Sequence, residues 1–469
     1  MDWVEHEYKN IDIGDNRLNK RANKVLKRFV RKPEQSIPST FQTWSETKAA
    51  YRFFDNPSVT SKKLIKPHQI ATLERIENHP TVLLIEDTSS LNYSGQLART
   101  DLGPLQQNNV RGLFIHPMLA ITPDKVCLGI LSYEQWCRDE LTDSSKCRKE
   151  KRRVQNIYQK ESYRWLKGYK KAGHLSKAFP DKNIIYIADR EGDIYEIFQQ
   201  SSKFSGQNIP QWIIRSTYDR SVKDEGDKKE RNKLRATVKA TQPIGQVTFN
   251  LSADKGRKPR EVIQTVYAKE VTLRAPRGKY SPDSKPVKVS VVIATEDNPP
   301  PGEERIEWVL LTSMDISSIE SALTVIQYYL CRWQIELFFK ILKSGCQIEK
   351  LQLNEQHRFN PCLTMYLIVA WRVLYLTMLG RAMPDINCEL VLESCEWKTA
   401  YVVLNKKKPP KQPPTMKNAL KMISQLGGFL ARKSDGPPGN KVIWQGLQAL
   451  HHYIQAQEAF AAIHGETYG

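Results

Sequence analysis

Thr81-Val82-Leu83-Leu84-Ile85-Glu86-Asp87 is a short, unbroken apolar run that ends in two acids. That is the pattern of a strand buried on both faces. The same texture returns in Asn183-Ile184-Ile185-Tyr186-Ile187-Ala188-Asp189, which also terminates in Asp, and again in Trp212-Ile213-Ile214-Arg215. Between the first two runs lie strand-like stretches over Leu113 to Ile121 and Val126 to Tyr133, then a strongly basic helix from about Ser145 to Tyr169. Arg190-Glu191-Gly192-Asp193 leads into a helix through Ile194, Ile197 and Phe198. Three strands, helix, strand, helix, strand predicts an α/β domain with Asp on its first and fourth strands. Sites in open sheets assemble at the carboxyl ends of strands, so Asp87 and Asp189 are candidate site residues. Such an acid can equally be a helix cap or a turn former, and neither Asp identifies a site alone.

The second informative stretch is Tyr329-Leu330-Cys331-Arg332-Trp333-Gln334-Ile335-Glu336 with the Lys343 that follows. Ser317-x-x-Glu320 reads as a capping box and Gly345 as a stop, which predicts one long helix between them. At about 100° per residue, Tyr329, Arg332, Glu336 and Lys343 share an arc of roughly 60°. Leu323, Ile326, Leu330, Trp333, Leu337 and Ile341 fill the neighbouring arc, so that side is expected to be buried and the polar stripe to edge a cleft. The plain alternative is an Arg332–Glu336 ion pair on a solvated helix. Three carboxylates converging at the strand ends would repel unless divalent cations lay between them, and hard oxygen ligands favour Mg²⁺ or Mn²⁺. Two such ions suit phosphoryl transfer.

Across 469 residues, 71 Lys plus Arg face 51 Asp plus Glu, a net charge of +20. That excess favours a polyanionic partner, nucleic acid first. No apolar run is long enough to span a bilayer, and the start lacks signal-peptide character, so a cytoplasmic protein is expected. The eight cysteines form no C-x-x-C pair, the nine histidines no H-E-x-x-H, and no phosphate-binding G-x-x-x-x-G-K-[ST] loop occurs. Zinc, a disulfide framework and ATP-driven chemistry are therefore not indicated.

After Gly14-Asp15, a basic amphipathic helix carries Arg17, Lys20, Arg21, Lys24, Lys27, Arg28 and Arg31 around an apolar stripe. A second helix, Ser45 to Phe54, adds Lys48, Tyr51 and Arg52. Solvated helix faces would explain these charges, but their single sign favours a small DNA-binding domain. From about 220 to 300 the texture is β-rich, with basic turns such as Lys255-Gly256-Arg257-Lys258. Trp308-Val309-Leu310-Leu311 returns the chain towards the Tyr329 helix. Apolar helices follow from about Pro361 to Leu379. After a break at Asp435 to Asn440, Ile443, Trp444, Leu447, Leu450 and Ile454 form an apolar stripe, read as an exposed dimer surface.

Ile85-Glu86-Asp87-Thr88-Ser89-Ser90-Leu91, Asp189-Arg190-Glu191-Gly192-Asp193-Ile194 and Tyr329-x2-Arg332-x3-Glu336-x6-Lys343 together closely resemble the DDE transposases of bacterial insertion sequences, of the cut-and-paste type. The likeness runs nearly the whole length, through Gly14-Asp15-x-Arg17, Tyr51-Arg52-Phe53, Glu307-Trp308-Val309-Leu310-Leu311-Thr312 and Leu426-Gly427-Gly428-Phe429. The Tyr-Arg-Glu-Lys signature is specific, whereas each Asp motif alone is weak. The resemblance implies a ribonuclease-H-like mixed sheet with flanking helices and a β-rich insertion, between N-terminal and C-terminal helical domains. The implied boundaries are 1–65 for end binding, 66–365 for catalysis with the insertion at about 220–300, and 366–469 for dimerisation.

It further implies Asp87, Asp189 and Glu336 as catalytic ligands of two Mg²⁺ ions, with Mn²⁺ as a substitute. Tyr329, Arg332, Lys340 and Lys343 would hold phosphates around a flipped base, Trp308 would receive that base, and Arg190, Arg215, Arg17 and Arg21 would also meet DNA. The partners implied are double-stranded transposon ends, target DNA and a second copy in a paired-end homodimer, with no membrane and a nucleoid-associated cytoplasmic location. The N-terminal sequence-reading residues do not match the family one for one, so the recognised end should differ. A hydrolysing nuclease or resolvase has no need of the flipped-base set, and a non-catalytic derivative no need of Asp87, Asp189 and Glu336.

Overall fold

The structure, a computed structural model, describes residues 2–464 apart from 42, 97–98, 106–108, 141–154, 205–208, 224–231, 252–258 and 277–284. Eleven strands run through the described residues. They are β1 (Thr81–Glu86), β2 (Ser89–Asn92), β3 (Gly103–Pro104), β4 (Arg111–Ile121), β5 (Cys127–Trp136), β6 (Asn183–Ala188), β7 (Gln211–Arg215), β8 (Gly245–Leu251), β9 (Arg260–Leu273), β10 (Val287–Glu296) and β11 (Glu307–Thr312). Two compact units result, each discontinuous in sequence. One holds Met1–Asn78, Thr88–Leu141 and Gln334–Gly469; the other holds His79–Asp87 and Thr142–Trp333.

In the second unit β1, β6 and β7 run parallel, and their apolar runs are buried as two-sided strands should be. The helix Tyr163–Ala178 lies against β1 and β6. At its contact a Cβ on Gly168 would come within 1.9 Å of Glu86 Oε2. Glu86 is itself 2% exposed and accepts the Tyr186 hydroxyl at 2.7 Å, so the buried carboxylate has a donor. Beyond β7 the sheet turns antiparallel through β11, β10, β9 and β8. The β-rich insertion is thus a continuation of the parallel core, and the mixed sheet fits the ribonuclease-H-like fold that the family resemblance implies.

In the first unit β2, β3 and β5 pair antiparallel with β4. Its core is built on the helix Gln356–Ala382, a single element where the sequence suggested several. This helix corrects the reading that no segment is apolar enough for a membrane. Its best window has a mean hydropathy of 1.7, yet 94% of that window is buried inside the protein. Phe29 stacks on Tyr366 at 4.6 Å, and Arg75 lies 4.5 Å over the Trp371 ring. Burial works to raise the Glu7 carboxyl, but the buried His68 and Arg75 both bond it and together hold it down at about 2.

Three further expectations change. The Ser317-to-Gly345 helix is instead Ile319–Leu330, a turn at Cys331-Arg332, Trp333–Lys340 and a π-turn over Ile341–Gly345, started by a Ser318/Ser321 capping box. A turn and a π-turn both break the 100° periodicity, so the buried set differs: Tyr329 and Arg332 are buried, while Trp333 is 54% exposed. Ile443, Trp444, Leu447, Leu450 and Ile454 are core residues, since Gly446 and Gly345 bring Asn440–His464 close to its neighbours. The exposed apolar side chains of this helix are Tyr453, Phe460 and Ile463. The basic helix begins at Tyr163; positions 145–154 and the turn at 255–258 lie outside the described residues.

Gly168→Ala should overpack the Glu86 contact and cost about 1–3 kcal/mol, a lowered urea midpoint at constant slope. A wild-type midpoint would refute the close helix–strand approach.

Candidate active site

Strand register assembles the site. The last Cα pair of β1 and β6 is Ile85 with Ile187, so two residues further on Asp87 faces Asp189. The last pair of β6 and β7 is Ala188 with Ile214, which sets Asp189 beside Arg215. On β11, Leu310 pairs with Arg215, and Trp308 stands two residues beyond it at the same end of the sheet. One sheet edge therefore presents Asp87, Asp189, Arg215 and Trp308 in succession.

Two residues from the Ile319–Leu330 helix and its following turn close over this edge. Arg332 Nη1 bonds Asp87 Oδ2 at 3.0 Å, with side chains only 9% and 16% exposed. Arg332 thus meets a carboxylate 245 residues away in sequence. Burial pushes the Tyr329 phenol up, the guanidiniums of Arg332 and Arg215 oppose that, and the Asp189 carboxylate adds to it. Asp87, Asp189, Arg215, Tyr329 and Arg332 are thus one electrostatic cluster.

The loops that follow β6 and β7 are held by Asp193, a residue the sequence reading left without a role. Its buried carboxylate accepts from Ser216 Oγ at 3.2 Å, the Thr217 N–H at 2.8 Å, the Tyr218 N–H at 3.2 Å and Arg220 Nη2 at 2.5 Å. Thr217 Oγ1 donates to the Arg190 carbonyl at 2.8 Å, fastening one loop to the other. The available signal was a second acid after the Asp-Arg-Glu-Gly turn. Beside these loops is a cleft of about 350 Å³ lined by Arg190, Arg215, Arg235 and Arg305 with Glu304 and Glu307. Four guanidiniums against two carboxylates suit phosphate oxygens. Trp308 is half-buried, and its ring stacks on Phe249.

The remaining residues of the signature belong to the other unit. Glu336 is exposed on Trp333–Lys340, one turn past Arg332, and Lys340 is exposed at its end. Lys343 is half-buried in the π-turn, where burial lowers its ammonium pKa and Glu349 opposes that. On the helix Asn16–Arg31, four cations are spent on internal pairs: Lys24 and Arg28 with Glu46, Lys27 with Asp2, Arg31 with Glu458. Arg17, Lys20 and Arg21 form no ion pair among the described residues; Arg17 and Lys20 are exposed and Arg21 is half-buried. They lie at the helix start, where the dipole disfavours a cation and favours an anion opposite it.

Among the described residues no three His, Cys, Asp or Glu side chains already converge as a metal cage. Asp87 and Asp189 nonetheless fit a divalent ion: both offer hard oxygens at adjacent strand ends, and Asp87 already holds a cationic group, the Arg332 guanidinium.

Residues 1–59 match the family model described as transposase DNA-binding, residues 167–371 the transposase DDE domain, and residues 368–467 the transposase Tn5 dimerisation domain. A DNA-binding region, a catalytic domain and a dimerising region in this order define a DNA transposase. The chain belongs to the DDE transposases of the Tn5 type. The DDE match takes in Asp189 and Glu336 and begins after Asp87. A solved structure titled as a piggyBac transposase synaptic complex with hairpin DNA is similar at 7% identity and a TM-score of 0.34, covering 99% of this chain and 78% of that one. Likeness at that level leaves the fold to be read from this chain alone.

Asp193→Asn leaves the Arg220 guanidinium beside a neutral amide, and we expect a loss of about 3 kcal/mol in chemical denaturation. An unchanged midpoint would show that Asp193 does not hold the two loops.

Proposed function

We propose that this transposase excises its element by metal-dependent nicking and hairpin formation at the transposon ends, then joins the freed 3′-OH ends to target DNA. The observation that carries this reading is the sheet edge where Asp87 and Asp189 meet, with Arg332 on Asp87 and Arg215 alongside. Glu336 joins them as the third catalytic carboxylate on the strength of the Tyr-Arg-Glu-Lys signature. Asp87, Asp189 and Glu336 would hold two Mg²⁺ ions, which supply activation of the attacking oxygen and stabilisation of the leaving one.

This chain's own residues bind and orient the DNA. Arg332 can exchange a carboxylate for a phosphate because a guanidinium fork fits both. Tyr329, Arg332, Arg215, Arg190, Lys340 and Lys343 grip phosphates around the cleaved end, and Trp308 stacks the base that hairpin formation forces out of the helix. Residues 1–65 recognise the end through Arg17, Lys20 and Arg21, residues 66–365 cut and join, and residues 366–469 dimerise. The dimer surface includes exposed Ile463 together with Tyr453 and Phe460, which line a groove of about 1040 Å³. The protein would work on the nucleoid in the cytoplasm.

Asp189→Ala should abolish first-strand nicking of a cognate end with Mg²⁺ while end binding stays within about twofold, since the phosphate contacts come from other residues. An Asp189→Ala enzyme that still nicks would overturn the catalytic assignment. Arg17→Ala should weaken end binding and lower the slope of log affinity against log salt by about 1 if it meets phosphate, or cost about 1–3 kcal/mol at one base pair if it reads a base. Binding indistinguishable from wild type in both respects would remove Arg17 from the interface.

A further inference from the structure

Phe249 on β8 and Trp308 on β11 lie three strands apart in pairing order, yet their rings stack at 5.3 Å between centroids and 21° between planes. Curvature of the insertion brings them together. Register sets Trp308 across from Ala294, then Val266, then Gly245, a row of small side chains over which a large ring can lean. Phe249 stands four residues after Gly245, on the same face of β8 by strand alternation. Neither ring is core: both are half-buried, and the face of β8 that carries Phe249 is half-buried throughout. The backbone beneath the indole is also fixed. Glu307, the preceding residue, is held by Arg235 and Lys239 from the helix Leu234–Lys239, and its carbonyl accepts from Arg215 Nη2 at 3.4 Å.

We propose that Phe249 is a positioning residue for the extrahelical base: it backs the Trp308 indole in one rotamer, so that the base completes a three-ring stack beside the arginine cleft. This rests on the reading of Trp308 as the base acceptor. An indole has two faces, and a ring on one of them leaves the other for a base while removing rotamer freedom that binding would otherwise have to freeze. The cleft with Arg190 and Arg215 then takes the phosphates of the displaced nucleotide.

The test uses the full chain and a cognate end carrying 2-aminopurine at its terminal positions, following both fluorescence on binding and the nicked, hairpin and blunt products over time with Mg²⁺. In Phe249→Ala the ratio of hairpin formation to first-strand nicking should fall roughly 3- to 10-fold, the range to which aromatic pairing energies convert, with a smaller 2-aminopurine change. Phe249→Trp should restore both and Phe249→Leu should not. A wild-type ratio in Phe249→Ala overturns the proposal. A raised ratio overturns it too, since Phe249 would then occupy the base's place. Equal slowing of nicking and hairpin formation marks a structural residue and also overturns it. Should wild type show no 2-aminopurine change and Trp308→Ala keep its hairpin rate, the base-acceptor reading itself fails. A Trp308→Ala defect beside a normal Phe249→Ala confines the failure to Phe249.

Discussion

Two carboxylates at the ends of adjacent parallel strands repel, and everything around this sheet edge answers that constraint. Asp87 and Asp189 are fixed in register by the β1/β6 pairing, so they cannot separate without breaking main-chain hydrogen bonds. Positive charge must therefore come to them. Arg332 supplies it to Asp87, and Arg215 stands beside Asp189 at the end of the next strand. The same requirement makes the edge receptive to divalent cations and to a phosphate drawn in by the flanking guanidiniums.

Holding that geometry needs a second layer of buried charge. Glu86, one residue before Asp87, points into the core and is met by the Tyr186 hydroxyl under a helix that only a glycine at 168 allows so close. Asp193, four residues after Asp189, binds the loop that follows Arg215. Alternation along an extended chain sends Glu86 inward and lets Asp87 face the site. Each site acid thus has a structural acid near it in sequence, and the two differ chiefly in burial.

The strands were legible because burial on both faces leaves an unmistakable apolar run, and their acidic ends pointed to a site before any pairing was known. Gly14-Asp15 was equally readable as the point where the basic helix begins, and there the Asp15 side chain caps it by accepting from the Arg17 N–H. The polar stripe was only half legible: Tyr329 and Arg332 lie at the sheet edge of Asp87 and Asp189, but the turn at Cys331 and the π-turn at Ile341 are invisible to a fixed periodicity. Partners distant in sequence could not be read at all, as with Arg332 and Asp87, or Phe249 and Trp308. The stripe at Ile443 to Ile454 misled for a related reason, because an apolar helix face looks the same whether its cover is another copy or its own chain.

The helix Gln356–Ala382 carries a hydropathy suited to lipid yet is buried among the protein's own side chains, and most of the elements packed against it are synthesised first. Trp3, Phe29, His68 and Arg75 all precede it and lie against its aromatic side chains. During translation these residues leave the ribosome before the helix does. A product begun downstream of Asp55 would lack Trp3 and Phe29 and would bare part of this surface, making it prone to associate with membranes, chaperones or intact copies. The N-terminal helices, which carry the DNA-binding match, thereby also cover part of the chain's most apolar segment.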